Sequence, residues 1–262
     1  MQFSDLQARL ADVRGRIDAA RARGGHEQDV RIVAVTKNHG PDAVLAALDA
    51  GVTDVGENRV QEALVKQDAI GAMAATAGNT AARDSRGAFS GPVTGPRWHL
   101  IGHLQRNKVK HLDRFALFHA VDSSRLADAL ADLGLKRGRF FDVLLEVNVS
   151  GEESKGGFAL GEVEREAERL AAGAGRAVED GVRRDGEGGL RVHGVMTMAP
   201  LGAGTATLHR VFALAREAGA LCRRAGHPAH ELSMGMSGDF EIAVEEGATM
   251  VRLGTVLFGD RQ

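Results

Sequence analysis

The chain has 262 residues, with 33 Lys and Arg against 35 Asp and Glu for a formal net charge of -2, which argues against a polyelectrolyte built for nucleic acid or an anionic membrane. Its one cysteine, Cys222, excludes an intramolecular disulfide and fits a reducing compartment, so a cytoplasmic location is expected. Acidic and basic residues are mixed within the opening MQFSDLQARLADVRGRI, and no segment approaches the roughly 18 apolar residues of a membrane helix.

Phe3, Leu6, Leu10, Val13 and Ile17 fall at helical spacing, and Ser4 with Gln7 three residues on reads as a capping box, which predicts an opening amphipathic helix. The first strand, 31–36, is a continuous apolar run that Asn38, His39, Gly40 and Pro41 break at once. An alternation then follows: helix about 41–50, strand 52–55, helix 58–70, strand 98–101, helix 104–113, strand 116–120 and helix 124–133. It continues with strand 143–149, helix 160–172, strand 190–195, helix 205–225, strand 229–232, helix 239–246 and strand 250–253.

Eight short apolar strands alternating with helices predict an α/β fold, a single (β/α)8 TIM barrel with an extra N-terminal helix; such barrels run to ~250 residues. An open doubly wound sheet fits the same periodicity, although no Gly-x-Gly-x-x-Gly follows the first strand. Two stretches, about 71–96 and 172–189, are rich in Gly, Ala, Thr, Ser and charge and are expected to be mobile insertions. Neither divides residues 1–262 into separate domains.

In a barrel the loops after the strands share one rim. Strand ends bring to it Lys37; Gly56, Glu57 and Asn58; Gly102, His103, Gln105, Asn107 and Lys108; Asn148 and Ser150; Met196; Ser233 through Ser237; and Arg252, Gly254 and Thr255. In LSMGMSGDFE two glycines lead into a helix start, where backbone N–H groups and the Ser237 hydroxyl suit a phosphate; the plainer reading is that Ser237 caps that helix. VRLGT repeats the offer with Gly254 and Thr255, in the loops after strands seven and eight where barrels often bind phosphate. Lys37 stands at the lip of the first strand, either snorkelling to water or used for its amine. A phosphate site facing a strand-end lysine suggests a phosphorylated aldehyde held as a Schiff base, with pyridoxal 5'-phosphate (PLP) the leading candidate. A phosphosugar site with a structural Lys37 is a weaker alternative.

VTK at 35–37, GENRVQE at 56–62, WHLIGHLQRNK at 98–108, NVSGEESKGGF at 148–158, GVMTM at 194–198 and ELSMGMSGDFEIAVEEGATMVRLGTVLFGDR at 231–261 together resemble the YggS/PROSC family of pyridoxal phosphate homeostasis proteins. The similarity runs in order from about residue 5 to 261. It implies a fold like the N-terminal barrel of alanine racemase, a Schiff base between PLP and Lys37, and cofactor contacts from Asn58, Ser237, Arg252, Gly254 and Thr255. It implies no metal.

An arginine facing the pyridine nitrogen would leave that nitrogen unprotonated and the ring a weak electron sink. Alanine-type racemases take a second base from a tyrosine on another domain, whereas this sequence has no tyrosine and ends at Gln262 shortly after its eighth strand. The resemblance therefore implies a PLP carrier or regulator without efficient turnover, a monomer whose partners are PLP and apoenzymes that require it. A slow PLP-dependent amino-acid racemase is the alternative, with His103 on the same rim as the imidazole able to serve it.

Overall fold

The computed structural model describes residues 3–76, 95–149, 156–173, 178–179, 182–183 and 188–259. Eight parallel strands carry the fold: β1 Arg31–Val35, β2 Asp54–Glu57, β3 Arg97–Leu100, β4 Leu117–Val121, β5 Phe140–Asn148, β6 Gly189–Met196, β7 Glu231–Ser233 and β8 Met250–Leu253. Each pairs with its neighbours in sequence order, and β1 pairs with β8, with Ile32 opposite Val251 and Val33 opposite Arg252, so the sheet closes on itself. The closed barrel is the expected TIM architecture; the open sheet is excluded.

Residues such as Val33, Ala34, Phe118, Leu144, Leu145 and Val251 are fully buried, which is why these strands read as continuous apolar runs. Each large apolar side chain so buried contributes about 1.5–3 kcal/mol. Helices α2 Pro41–Asp49, α3 Val60–Thr76, α4 Ser124–Lys136, α5 Leu160–Gly173, α6 Thr205–Arg224 and α7 Phe240–Glu245 cover the outside, and a short α8, Thr255–Phe258, follows β8. The opening helix α1, Leu6–Gly24, lays Leu6, Leu10, Val13, Ile17 and Ala20 against α7 and α8. Arg16 and Arg23 reach Glu241 and Glu245 at 2.6 Å along that seam. Solvent screens such exposed pairs, so the apolar stripe holds α1 in place.

Several local expectations shift. No capping box starts α1: its N-cap is Asp5 without a side-chain cap bond, and the Ser4 hydroxyl donates to Asp5 instead. The segment expected as a helix over 104–113 is a 3-10 helix, Arg106–Arg114, in which tighter turns suit a short connector. α3 runs on to Thr76, into the first insertion; residues 77–94 lie outside the described part. Most of the second insertion does too, although Val178–Glu179 and Val182–Arg183 pair as an antiparallel rung. Among the described residues, no helix is long and apolar enough to cross a membrane.

Candidate cofactor site

The loops at the C-terminal ends of the strands enclose a cavity of about 840 Å³, within the size range of small-molecule sites. Lys37, Asn58, Ser237, Arg252, Gly254 and Thr255, gathered from four strand ends, all line it. The strand-end residues Gln105, Asn107 and Lys108 fall instead on or beside the 3-10 helix and do not. Ser150 lies outside the described residues.

Lys37 follows β1 in a turn closed by the His39 N–H donating to the Thr36 carbonyl at 3.0 Å. Asn38 takes a φ of 65°, the single left-handed non-glycine among the described residues, a conformation asparagine tolerates better than most. The turn leaves Lys37 half-buried against the cavity, and among the described residues no carboxylate or carbonyl holds its Nζ. The contrast is Lys66, buried from α3, whose Nζ donates to Glu57 at 2.6 Å and to the Thr36 carbonyl at 2.7 Å. Glu57 also accepts the Thr36 hydroxyl, so it braces the end of β1 from beneath and is absent from the cavity lining.

The loop between β7 and α7 turns at Gly235, where φ is 89° and a Cβ would stand 2.7 Å from the Ala243 side chain and 2.8 Å from the Phe240 backbone. Asp239 then accepts the Met236 N–H, closing the loop. The Ser237 hydroxyl oxygen does not cap α7; it accepts the Val256 N–H at 3.2 Å and ties this loop to the start of α8. The two loops that the sequence singled out for phosphate are thus joined. A Cβ on Gly238 would meet nothing within 4 Å, and among the described residues no acceptor takes the N–H of Gly238 or Thr255.

Arg252 is 4% exposed on β8. Its Nη1 donates to the carbonyl and the hydroxyl of Ser233, both at 2.7 Å, and its Nη2 to the Thr197 carbonyl at 2.8 Å. Burial lowers its pKa to about 10, against the attraction of Asp239 and Glu146. It stays cationic at neutral pH and only donates hydrogen bonds. Glu146, which the sequence reading passed over inside the apolar run of β5, also lines the cavity, and burial raises its pKa, with Asp122 adding to the effect. His103, at the rim, pairs its Nδ1 with Asp122 at 2.7 Å.

This closed barrel carries a lysine after its first strand and two hydrogen-bonded loops after its last two, and residues 9–262 match the family described as alanine racemase, N-terminal domain. Alanine racemase from Corynebacterium glutamicum superposes with a TM-score of 0.62 at 17% identity, over 93% of this chain and 58% of that one, a likeness of fold. The pyridoxal phosphate homeostasis protein of Aquifex aeolicus is 35% identical over 257 residues, 97% of each chain. Its Escherichia coli K12 counterpart is 34% identical over 265 residues, 99% of this chain and 98% of the relative. The structure of PipY from Synechococcus elongatus PCC7942 with PLP bound matches with a TM-score of 0.72 at 32% identity, over 97% of this chain and 100% of that one. The chain belongs to the pyridoxal phosphate homeostasis protein family.

Proposed function

We propose that this chain binds PLP in the cavity and takes part in vitamin B6 homeostasis as a carrier, with Lys37, Asn58, Ser237, Arg252, Gly254 and Thr255 holding the cofactor. The observation that carries the reading is that all six line one cavity while Lys37 has no partner for its amine among the described residues. Bound PLP supplies an aldehyde for an amine and a phosphate for hydrogen-bond donors. The residues present suit both groups. Lys37 offers a half-buried amine that no side chain or carbonyl holds among the described residues. Ser237 accepts from Val256, so its own hydrogen is free to donate to an anion. The N–H groups of Gly238 and Thr255, and the empty space where a Gly238 side chain would stand, make a donor-lined hollow beside it. Arg252 donates and cannot deliver an acidic proton, so a ring nitrogen beside it would stay unprotonated.

That electrostatic setting favours holding over turnover, and the sequence contains no tyrosine to serve as a second base. His103, paired to Asp122, is the imidazole at the rim that a racemase reading would need. Because the six residues come from one chain, a monomer suffices, with apoenzymes that require PLP as its partners. Titration of the purified protein with PLP, followed by visible absorbance, tests the binding. A lysine-bound chromophore that appears with wild type and not with Lys37→Ala supports the reading; identical spectra from both proteins contradict it.

A further inference from the structure

Behind Arg252 lies a row of buried polar side chains that the barrel's apolar core does not require. The Ser233 hydroxyl is 2.9 Å from His119 Nδ1, His119 Nε2 is 2.8 Å from His99 Nδ1, and His99 Nε2 is 2.8 Å from Asp54 Oδ1. Ser233, His119 and His99 are completely buried, and Asp54 nearly so. The row begins at the first residue of β2, passes β3 and β4, crosses the barrel to β7 and ends at Arg252 on β8. At its far end Thr53 donates to Asp54 Oδ2 at 3.2 Å, and Arg97 stands 3.5 Å from Oδ1.

The chemistry of the two ends fixes the direction of every bond between them. A guanidinium has donors and no acceptor, so the Ser233 oxygen must accept from Arg252. An ionised carboxylate only accepts, so His99 Nε2 must carry the hydrogen that meets Asp54. In a neutral ring His99 Nδ1 is then an acceptor, His119 Nε2 a donor and His119 Nδ1 an acceptor, and the Ser233 hydrogen points at His119. Both rings are held as the Nε2–H tautomer with no lone pair or proton left over. Burial depresses the pKa of both histidines, further for His119, where the Arg252 charge adds, while the bond from His99 keeps Asp54 below the usual carboxylate range. A proton wire is excluded, because the Arg252 end neither takes up nor gives up a proton at neutral pH. What such a row transmits is position.

We propose that Ser233, His119, His99 and Asp54 are positioning residues for Arg252, a one-directional hydrogen-bond relay that fixes its guanidinium toward the cavity and thereby sets how tightly, and in what electronic state, the cofactor is held. The Thr197 carbonyl steadies the other side of the guanidinium, and Thr197 is itself anchored by its hydroxyl donating to the Val147 carbonyl at 2.8 Å. Nη1 depends on Ser233, whose hydroxyl has no fixed rotor unless His119 takes its hydrogen. A relay with every bond directed has one arrangement, and losing any acceptor in it lets Ser233 turn and Arg252 relax.

The affinity part rests on the PLP reading, so the test has an arm without PLP. In the protein alone, nitrogen-15 NMR of the histidine rings is expected to show His99 and His119 as Nε2–H tautomers across neutral pH, with the Arg252 guanidinium hydrogens slow to exchange. Asn at position 119 offers an oxygen where Nδ1 sits, whereas Phe offers nothing. His119→Asn is therefore expected to keep the slow Arg252 signals, and His119→Phe and Ser233→Ala to lose them. With PLP, His119→Phe and Ser233→Ala are each expected to weaken binding about tenfold and to move the PLP absorbance maximum alike, the double variant being no worse than either. His119→Asn should recover most of the loss. Equal losses in the Asn and Phe variants, additive losses, or Arg252 signals unchanged by Ser233→Ala would overturn the relay and leave these residues as core packing. If His119→Phe does not fold, the Ser233→Ala signals and the wild-type tautomers decide. If wild type binds no PLP, the function proposed above fails, and the tautomers and Arg252 signals still decide the relay.

Discussion

Individual residues do different work even when their types match. Lys37 and Lys66 bracket the end of β1, yet Lys66 is paired with Glu57 while Lys37 has no partner among the described residues. The sequence marks Lys37 by its place at a strand lip; it offers no sign of Lys66, which reads as one more lysine on a helix. Ser237 and Thr255 were legible as cavity residues from their glycine-flanked positions, whereas the row of His99, His119 and Asp54 was not, because polar residues inside short strands carry no pattern that tells which will meet across a barrel. Ser237→Ala and Thr255→Ala are each expected to weaken PLP binding by ~1.5–3 kcal/mol, roughly tenfold to a hundredfold, and pyridoxal binding much less, because each removes a bond to the phosphate. Competition titrations with the two ligands check this, and equal losses for both would take these residues out of the phosphate site. The buried histidines also predict a pH dependence. Burial holds the His119 pKa well below 6.5, so the unfolded chain binds more protons than the folded one as pH falls. Stability is therefore full above about pH 6.5 and is lost as pH drops below it. Urea unfolding across that range should show the decline in wild type and a shallower one in His119→Asn.

At the scale of elements, hydrophobic periodicity located all eight strands because each carries a run of buried apolar residues, and it erred where local hydrogen bonding decides. The capping box at Ser4, the 3-10 helix Arg106–Arg114 and the four-residue α8 all depend on which N–H groups find partners, which apolar spacing does not encode. The loop between β7 and α7 shows how an element places a site. Gly235 adopts a φ open to glycine, and its missing Cβ lets α7 pack against the turn that delivers Ser237. Gly235→Ala is expected to cost about 2 kcal/mol or more, roughly 4–8 °C in Tm, and to weaken PLP binding as well. Calorimetry on the variant checks the first part; an unchanged Tm would mean the turn relaxes without penalty. By comparison, Arg23→Ala on the exposed seam of α1 should leave the Tm essentially unchanged, since solvent screens that pair.

At the scale of the whole molecule, closure of the barrel makes one site of residues more than two hundred positions apart. Lys37 stands just past the end of β1 and Arg252 on β8, strands that become neighbours when the ring closes, with Val33 opposite Arg252. The sequence could count strands but not close the ring, since no periodicity records which edge strands meet. Whether Lys37 carries PLP is decided most directly by mass spectrometry of tryptic peptides after the PLP-loaded protein is reduced with borohydride. Reduction leaves a pyridoxyl phosphate of ~231 Da on the lysine that held the cofactor. That addition is expected on one peptide spanning residues 32–59, in which trypsin no longer cuts after the modified Lys37, and is expected to be absent in Lys37→Ala. The same addition found mainly on Lys66, Lys108 or Lys155, or persisting in Lys37→Ala, would contradict it.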